Sequence, residues 1–130
     1  MHDILIVDDS RAMRNFLRRA LAMTSLKPGV VYEADNGLEA LKLLATHSVQ
    51  VIFSDINMPV MDGVVFVGEL SKNEATKKIP VIVVSTDNSR ERISQMYSLG
   101  AKGYIAKPFS PESLEHEVIR LLWETDDEQS

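Results

Sequence analysis

Apolar and polar residues fall along this chain in blocks rather than in strict alternation. Five short apolar runs recur, at residues 3–7, 30–34, 50–54, 79–85 and 102–106. Each is too short for a buried helix, and Ile4-Leu5-Ile6-Val7 and Val51-Ile52-Phe53 have no polar face, so they read as strands covered on both sides. Between them lie stripes at helical spacing. Met13, Phe16, Leu17, Ala20 and Leu21 mark a helix from 11 to about 24. Leu38, Leu41, Leu44 and Ala45 mark one over 38–47, and Leu114, Val118, Leu121 and Leu122 mark one from 111 to about 123. Residues 89–99 form another, stopped by Gly100. Ser10 or Asp9 suits the cap of the first helix, and Ser110 with Pro111 opens the last. Val64-Val65-Phe66-Val67 favours a strand by propensity. Yet residues 63–72 sit between two clear strands, and a parallel crossover calls for a helix there. Pro80 near a strand start is tolerated because the missing N–H falls at the strand's edge. Five strands alternating with five helices predict a doubly wound α/β domain: a parallel sheet, helices on both faces, right-handed crossovers.

Composition narrows the setting. One domain accounts for 130 residues, and a chain of this size buries roughly two-thirds of its unfolded surface. Residues 1–124 make the domain and 125–130 read as a solvated acidic tail; Trp123 is expected to pack against or shield the end of the last helix. No run is long enough to span a membrane, and Met1-His2-Asp3 supplies no basic flank for a secretory signal. Cysteine is absent, which removes disulfides and thiolate metal sites and fits a cytoplasmic protein. The net charge of −5 argues against non-specific nucleic-acid binding. His2, His47 and His116 are scattered and receive no role, and no glycine-rich nucleotide loop follows the first strand.

In a doubly wound sheet the ligand site lies beyond the carboxyl ends of the strands. The first strand ends in Asp8 and Asp9, the third in Asp55, and the fourth in Ser85 and Thr86; the fifth is followed by Lys107. Asp35-Asn36-Gly37 after the second strand reads as a turn, as the flavodoxin-like order 2-1-3-4-5 requires of an edge strand. Three carboxylates at one edge repel, each pair at about 4 Å by on the order of 4 kcal/mol at an effective dielectric of 20. Either one carboxyl is protonated or a cation sits among them. Without His or Cys, an all-oxygen cluster suits a hard ion, Mg²⁺ above all. A nucleophilic carboxylate, a hard cation, an ammonium and a hydroxyl donor together suit the holding of a phosphoryl group, and carboxylate attack on phosphorus gives an aspartyl phosphate.

These motifs closely resemble the receiver domain of bacterial response regulators, the CheY-like family. The resemblance rests on Ile6-Val7-Asp8-Asp9-Ser10, on Ser54-Asp55-Ile56-Asn57-Met58-Pro59 with Met61-Asp62-Gly63, on Ile82-Val83-Val84-Ser85-Thr86, and on residues 100–109 ending in Lys107-Pro108-Phe109. It covers nearly the whole chain. It implies that Asp55 is the phosphoacceptor, loaded by a histidine kinase or a phosphotransfer protein. It further implies that Asp9 ligates Mg²⁺ with support from Asp8, and that the Asn57 backbone carbonyl is another ligand. Ser85 would move to the phosphoryl oxygen, Lys107 would pair with the same group, and the Lys107–Pro108 bond would be cis. Tyr104 would turn inward as Ser85 moves, reshaping the surface of the fourth helix, fifth strand and fifth helix that a downstream protein reads.

Two positions depart from the family pattern. Thr86 stands where the family most often has Ala or Gly, and its bulk is expected to slow phosphoryl exchange, so that Thr86→Ala speeds loading by a small donor. Val60 replaces a common loop glycine and alters the local turn. Asn57 and Asp87 flank the site where the family tunes water access. A haloacid-dehalogenase-like phosphatase also uses an aspartyl nucleophile and Mg²⁺, but it wants a second Asp two residues on, where this chain has Asn57. A phosphoryl sink would use the same site and signal to nothing directly. The expectation is a monomeric switch, not a metabolic enzyme, that acts through protein contact, with chemotaxis as one familiar use.

Overall fold

In the chain's computed structural model, which describes residues 2–129 with side chains through Leu122, each apolar run becomes a strand and each striped segment a helix. The elements are β1 His2–Val7, α1 Arg11–Ala22, β2 Pro28–Ala34, α2 Gly37–Leu44, β3 Val51–Ser54, α3 Gly63–Lys72, β4 Val81–Ser85, α4 Arg90–Leu99, β5 Gly103–Ala106 and α5 Pro111–Gln129. The strands lie in the order β2-β1-β3-β4-β5, every neighbouring pair parallel. This is the doubly wound, flavodoxin-like architecture that the alternation predicts.

Period-two geometry divides the core between the two faces of the sheet. Leu5, Val7, Ile52, Val81 and Val83 meet Phe66, Val67, Leu70 and Met96 of α3 and α4 on one face. Ile4, Ile6, Val51, Phe53, Ile82 and Val84 meet Leu17, Leu21, Leu114 and Val118 of α1 and α5 on the other. Full burial of each such side chain contributes about 2 kcal/mol. The strand-like propensity of residues 64–67 yields to this packing: as a helix, the segment puts Phe66, Val67 and Leu70 on one buried face, and Asp62 caps it by accepting the Val65 N–H at 3.0 Å.

Element ends differ from the sequence reading for local reasons. β4 begins at Val81 rather than 79, because Pro80 has no N–H for the ladder; its carbonyl still accepts from Ile52 N at 3.0 Å. β2 reaches back to Pro28, after Lys27 turns the chain with φ 52°. α1 and α2 stop at Ala22 and Leu44, where three-residue turns replace the helical ladder. α5 continues to Gln129, so the backbone of the acidic stretch prolongs the helix. The side-chain packing expected of Trp123 lies outside the described residues. Among the described residues, no helix is long and apolar enough to cross a membrane.

Candidate functional site

Register carries the chemistry to one edge of the sheet. Val7 of β1 lies level with Ser54 of β3, so the next residue of each strand, Asp8 and Asp55, emerges side by side. Asp55 N–H still donates to Val7 carbonyl at 2.8 Å. Ser85 of β4 lies level with Ala106 of β5, which delivers Lys107 to the same edge, its N–H donating to Ser85 carbonyl at 2.8 Å.

Lys107 Nζ donates to both acids, to Asp8 Oδ2 at 2.9 Å and to Asp55 Oδ2 at 3.2 Å. The three side chains are only 11%, 5% and 11% exposed for Lys107, Asp8 and Asp55. The remaining oxygens take backbone amides: Ser10 N–H to Asp8 Oδ1 at 2.8 Å, and Ile56 N–H to Asp55 Oδ1 at 2.7 Å. Burial pushes the Asp55 carboxyl above the usual carboxylate range; the Asp8 charge adds to that, and Lys107 with the Ile56 amide offsets only part. Burial would depress Lys107, but its bond to Asp8 and the charges of Asp55 and Asp8 outweigh it and hold the ammonium above its ordinary value.

Exposed Asp9 completes a group in which Asp8, Asp9 and Asp55 each offer a carboxylate oxygen within 4.8 Å of the others. One ammonium answers only one of these three charges. Each carboxylate oxygen carries two lone-pair positions, so the bonds to Lys107 and the amides leave acceptor capacity for a cation. An all-oxygen donor set of this kind fits a hard divalent ion.

A second group sits beside the first. Ser85 is fully buried, and its Oγ accepts the Asp87 N–H at 3.1 Å. Tyr104 Oη donates to the Asp87 carbonyl. Burial raises the Tyr104 phenol above its ordinary value; a bond from Ser85 works against this and the Asp87 charge reinforces it. Arg92 Nε on α4 donates to Asp87 Oδ2 at 3.1 Å. The structure thus brings Asp8, Asp9, Asp55 and Lys107 into one cluster and Ser85 and Tyr104 into another, while Thr86, just past β4, and Asn57, in the loop after β3, lie exposed. The Lys107–Pro108 bond is cis. Val60, 78% exposed, takes φ 68°, the left-handed conformation that a glycine in its place would adopt without strain.

Sequence reasoning missed four supports. The amides of Ser10 and Ile56 are backbone groups without a residue signature. Gly63 presses its Cα against the Asp55 carbonyl and the Ile56 backbone, leaving no room for a Cβ, and its N–H donates to Ile56 carbonyl at 2.7 Å. Arg14 Nη1 donates to the Asp8 carbonyl at 2.7 Å. Only its position on the polar side of α1, one turn past the cap Ser10, hinted at this.

Known proteins share this fold and about a third of this sequence. Residues 4–119 match the family model of the response regulator receiver domain. The chemotaxis protein CheY1 of Helicobacter pylori is 32% identical over 124 residues, covering 95% of this chain and 98% of that protein. A chemotaxis protein CheY homolog of Campylobacter jejuni is 34% identical over 120 residues, 92% of this chain and 91% of its own. The solved structure of the chemotaxis response regulator CheY4 of Vibrio cholerae superposes with a TM-score of 0.82 at 34% identity, covering 92% of this chain and 98% of the other.

Proposed function

The chain belongs to the response regulator receiver domain family, and from that premise we propose that it is a phosphoacceptor switch of two-component signalling, phosphorylated on Asp55. The observation that carries the reading is Lys107 Nζ bridging Asp8 and Asp55 within a three-carboxylate cluster. Asp8, Asp9 and Asp55, with the backbone carbonyl of Asn57, would hold Mg²⁺; when bound, the ion neutralises the carboxylates and the oxygens of the incoming phosphoryl group.

The donor is a phosphohistidine of a histidine kinase or phosphotransfer protein. A carboxylate oxygen of Asp55 attacks phosphorus, the P–N bond breaks with its electron pair leaving on the imidazole, and an acyl phosphate forms. Lys107 stays as counter-charge to the new phosphoryl oxygens, which replace the carboxylate oxygen it now holds. Ser85 has one hydroxyl proton, which can go to Tyr104 or to the phosphoryl group but not to both. Its transfer leaves Tyr104 held through the Asp87 carbonyl alone and biases the α4-β5-α5 surface between two shapes, one of which the partner prefers. That face carries a groove of about 740 Å³ lined by Tyr104, Ile105, Pro108, Phe109, His116 and Glu117. The kinship with CheY proteins favours an output by protein contact, as in chemotaxis, from a monomeric cytoplasmic switch whose only catalysis is its own phosphorylation and dephosphorylation.

Incubation with a small phosphodonor and Mg²⁺, followed by intact mass and borohydride trapping, tests the reading. A Mg²⁺-dependent adduct at Asp55, absent in Asp55→Asn, is expected. A folded protein that takes up no phosphoryl group, even from a cognate kinase, overturns it.

A further inference from the structure

The edge strand β2 reaches the acidic cluster by way of α1. Glu33 accepts from two arginines, Arg14 Nε at 2.9 Å and Arg18 Nη2 at 2.5 Å. Arg18, 45% exposed, ends at this carboxylate and the Val31 carbonyl. Arg14, 15% exposed, continues inward to the Asp8 carbonyl. Every polar group of Asp8 is then held. Its N–H donates to Ala34 carbonyl of β2 at 3.1 Å, its carbonyl takes Arg14, Oδ1 takes Ser10 N–H and Oδ2 takes Lys107.

We propose that Arg14, oriented by Glu33, is a positioning residue for the acidic cluster: it fixes the Asp8-Asp9 turn and thereby sets the affinity of the cluster for a divalent cation. The inference rests on the reading that this cluster holds Mg²⁺. Two physical effects of Arg14 have opposite signs, which makes the inference decidable. As a bare positive charge near a cation site, Arg14 opposes metal binding, and its removal would tighten Mg²⁺. As a brace it holds the backbone from which two of the three carboxylates project, and loss of such an outer support weakens metal binding. A planar guanidinium meets the Glu33 oxygen and the Asp8 carbonyl at once through two different nitrogens, and that geometry favours the brace.

Calorimetric Mg²⁺ titration of the whole chain tests this, with wild type, Arg14→Ala, Arg14→Lys and Arg18→Ala compared at a temperature where circular dichroism shows all four folded. Arg18→Ala is the control, because it removes the same charge from the same Glu33 without touching Asp8. Arg14→Ala is expected to weaken Mg²⁺ by about tenfold, Arg14→Lys by less, and Arg18→Ala not at all. A second readout needs no metal: amide hydrogen exchange at Ser10, whose N–H is held by Asp8, should accelerate in Arg14→Ala and not in Arg18→Ala. Tighter or unchanged Mg²⁺ binding in Arg14→Ala, an equal loss in Arg18→Ala, or unchanged Ser10 exchange overturns the brace. A wild-type protein that binds no Mg²⁺ overturns instead the metal reading beneath it, and Ser10 exchange tells the two failures apart.

Discussion

The site has a buried ionic floor and a partly exposed rim, and the two are built on different physics. The floor is ionic and largely buried: Lys107, Asp8 and Asp55 directly follow three strands, and each side chain is held by at least two partners. At the rim the switch residues are joined by neutral bonds: Ser85 and Tyr104 meet through the amide and carbonyl of Asp87, and Asp87 and Tyr104 are half-buried. Charge-assisted bonds are roughly twice as strong as neutral ones, and a neutral bond contributes only about 1 kcal/mol net. On the proposed function Asp55 is the carboxylate that reacts, and its over-determined surroundings suit the fixed geometry such a group needs. A surface that must change shape needs bonds that can be exchanged at little cost, and the rim has those. A phosphoryl group that attracts one hydroxyl can shift such a rim, but it could not rearrange the floor.

The largest effect should come from breaking the floor. Lys107→Ala leaves two buried carboxylates facing each other, and at pH 7 without divalent cation the protein should lose about 3 kcal/mol in urea unfolding. Part of that loss should return as the pH is lowered and a proton takes the place of the ammonium. A loss under about 1 kcal/mol would mean that the ion pairs are ordinary surface pairs and that floor and rim do not differ. Asp55→Asn should move the other way. Burial and Asp8 already hold the Asp55 carboxyl above its usual range, so its ionised form costs the fold stability at neutral pH. The amide removes that cost while Asp8 keeps Lys107 paired, and a gain on the order of 1 kcal/mol is expected. The same variant should take up no phosphoryl group, so stability and function part company at this one residue.

The floor was more legible in the sequence than the rim, and its supports hardly at all. Strand ends can be read from apolar runs, and parallel register then brings Asp8, Asp55 and Lys107 together with little freedom left. Even the misleading propensity of residues 64–67 was corrected by the order of the elements. The rim depends on rotamers and on a loop carbonyl: the meeting of Ser85 and Tyr104 at Asp87 follows from no periodicity, and only family resemblance coupled the two residues. Arg14 and Glu33 were invisible because each, on its own element, is an ordinary polar residue on a solvated face. Their pairing exists only once α1 lies across β2.

A smaller effect should come from the rim. Tyr104→Phe removes the donor to the Asp87 carbonyl, but that half-buried loop can be reached by water. The expected loss is less than about 1 kcal/mol, a shift of a few degrees in thermal unfolding. A loss as large as that of Lys107→Ala would show a rim as rigid as the floor and would end the comparison.

The smallest effect lies outside both, in the Glu33 pair that braces the floor from the solvent side. Burial alone would raise the Glu33 carboxyl, but its bonds to Arg18 and Arg14 and their charges outweigh that and hold it below its ordinary value. A depressed acid contributes stability that is fully present above its unfolded pKa, roughly 4.3, and is lost as pH falls through the lower folded value. Glu33→Gln should therefore cost the most above about pH 5, less than about 1 kcal/mol in a network that water still reaches. The difference from wild type should shrink steadily below pH 4, where the wild-type carboxyl protonates and comes to resemble the amide. Urea unfolding of the two proteins from pH 3 to pH 7 measures it. A difference that stays flat across this range would mean that the pair acts through packing of its long side chains and not through charge. The support it lends Arg14 would then be steric, and the floor would owe the solvent side shape alone.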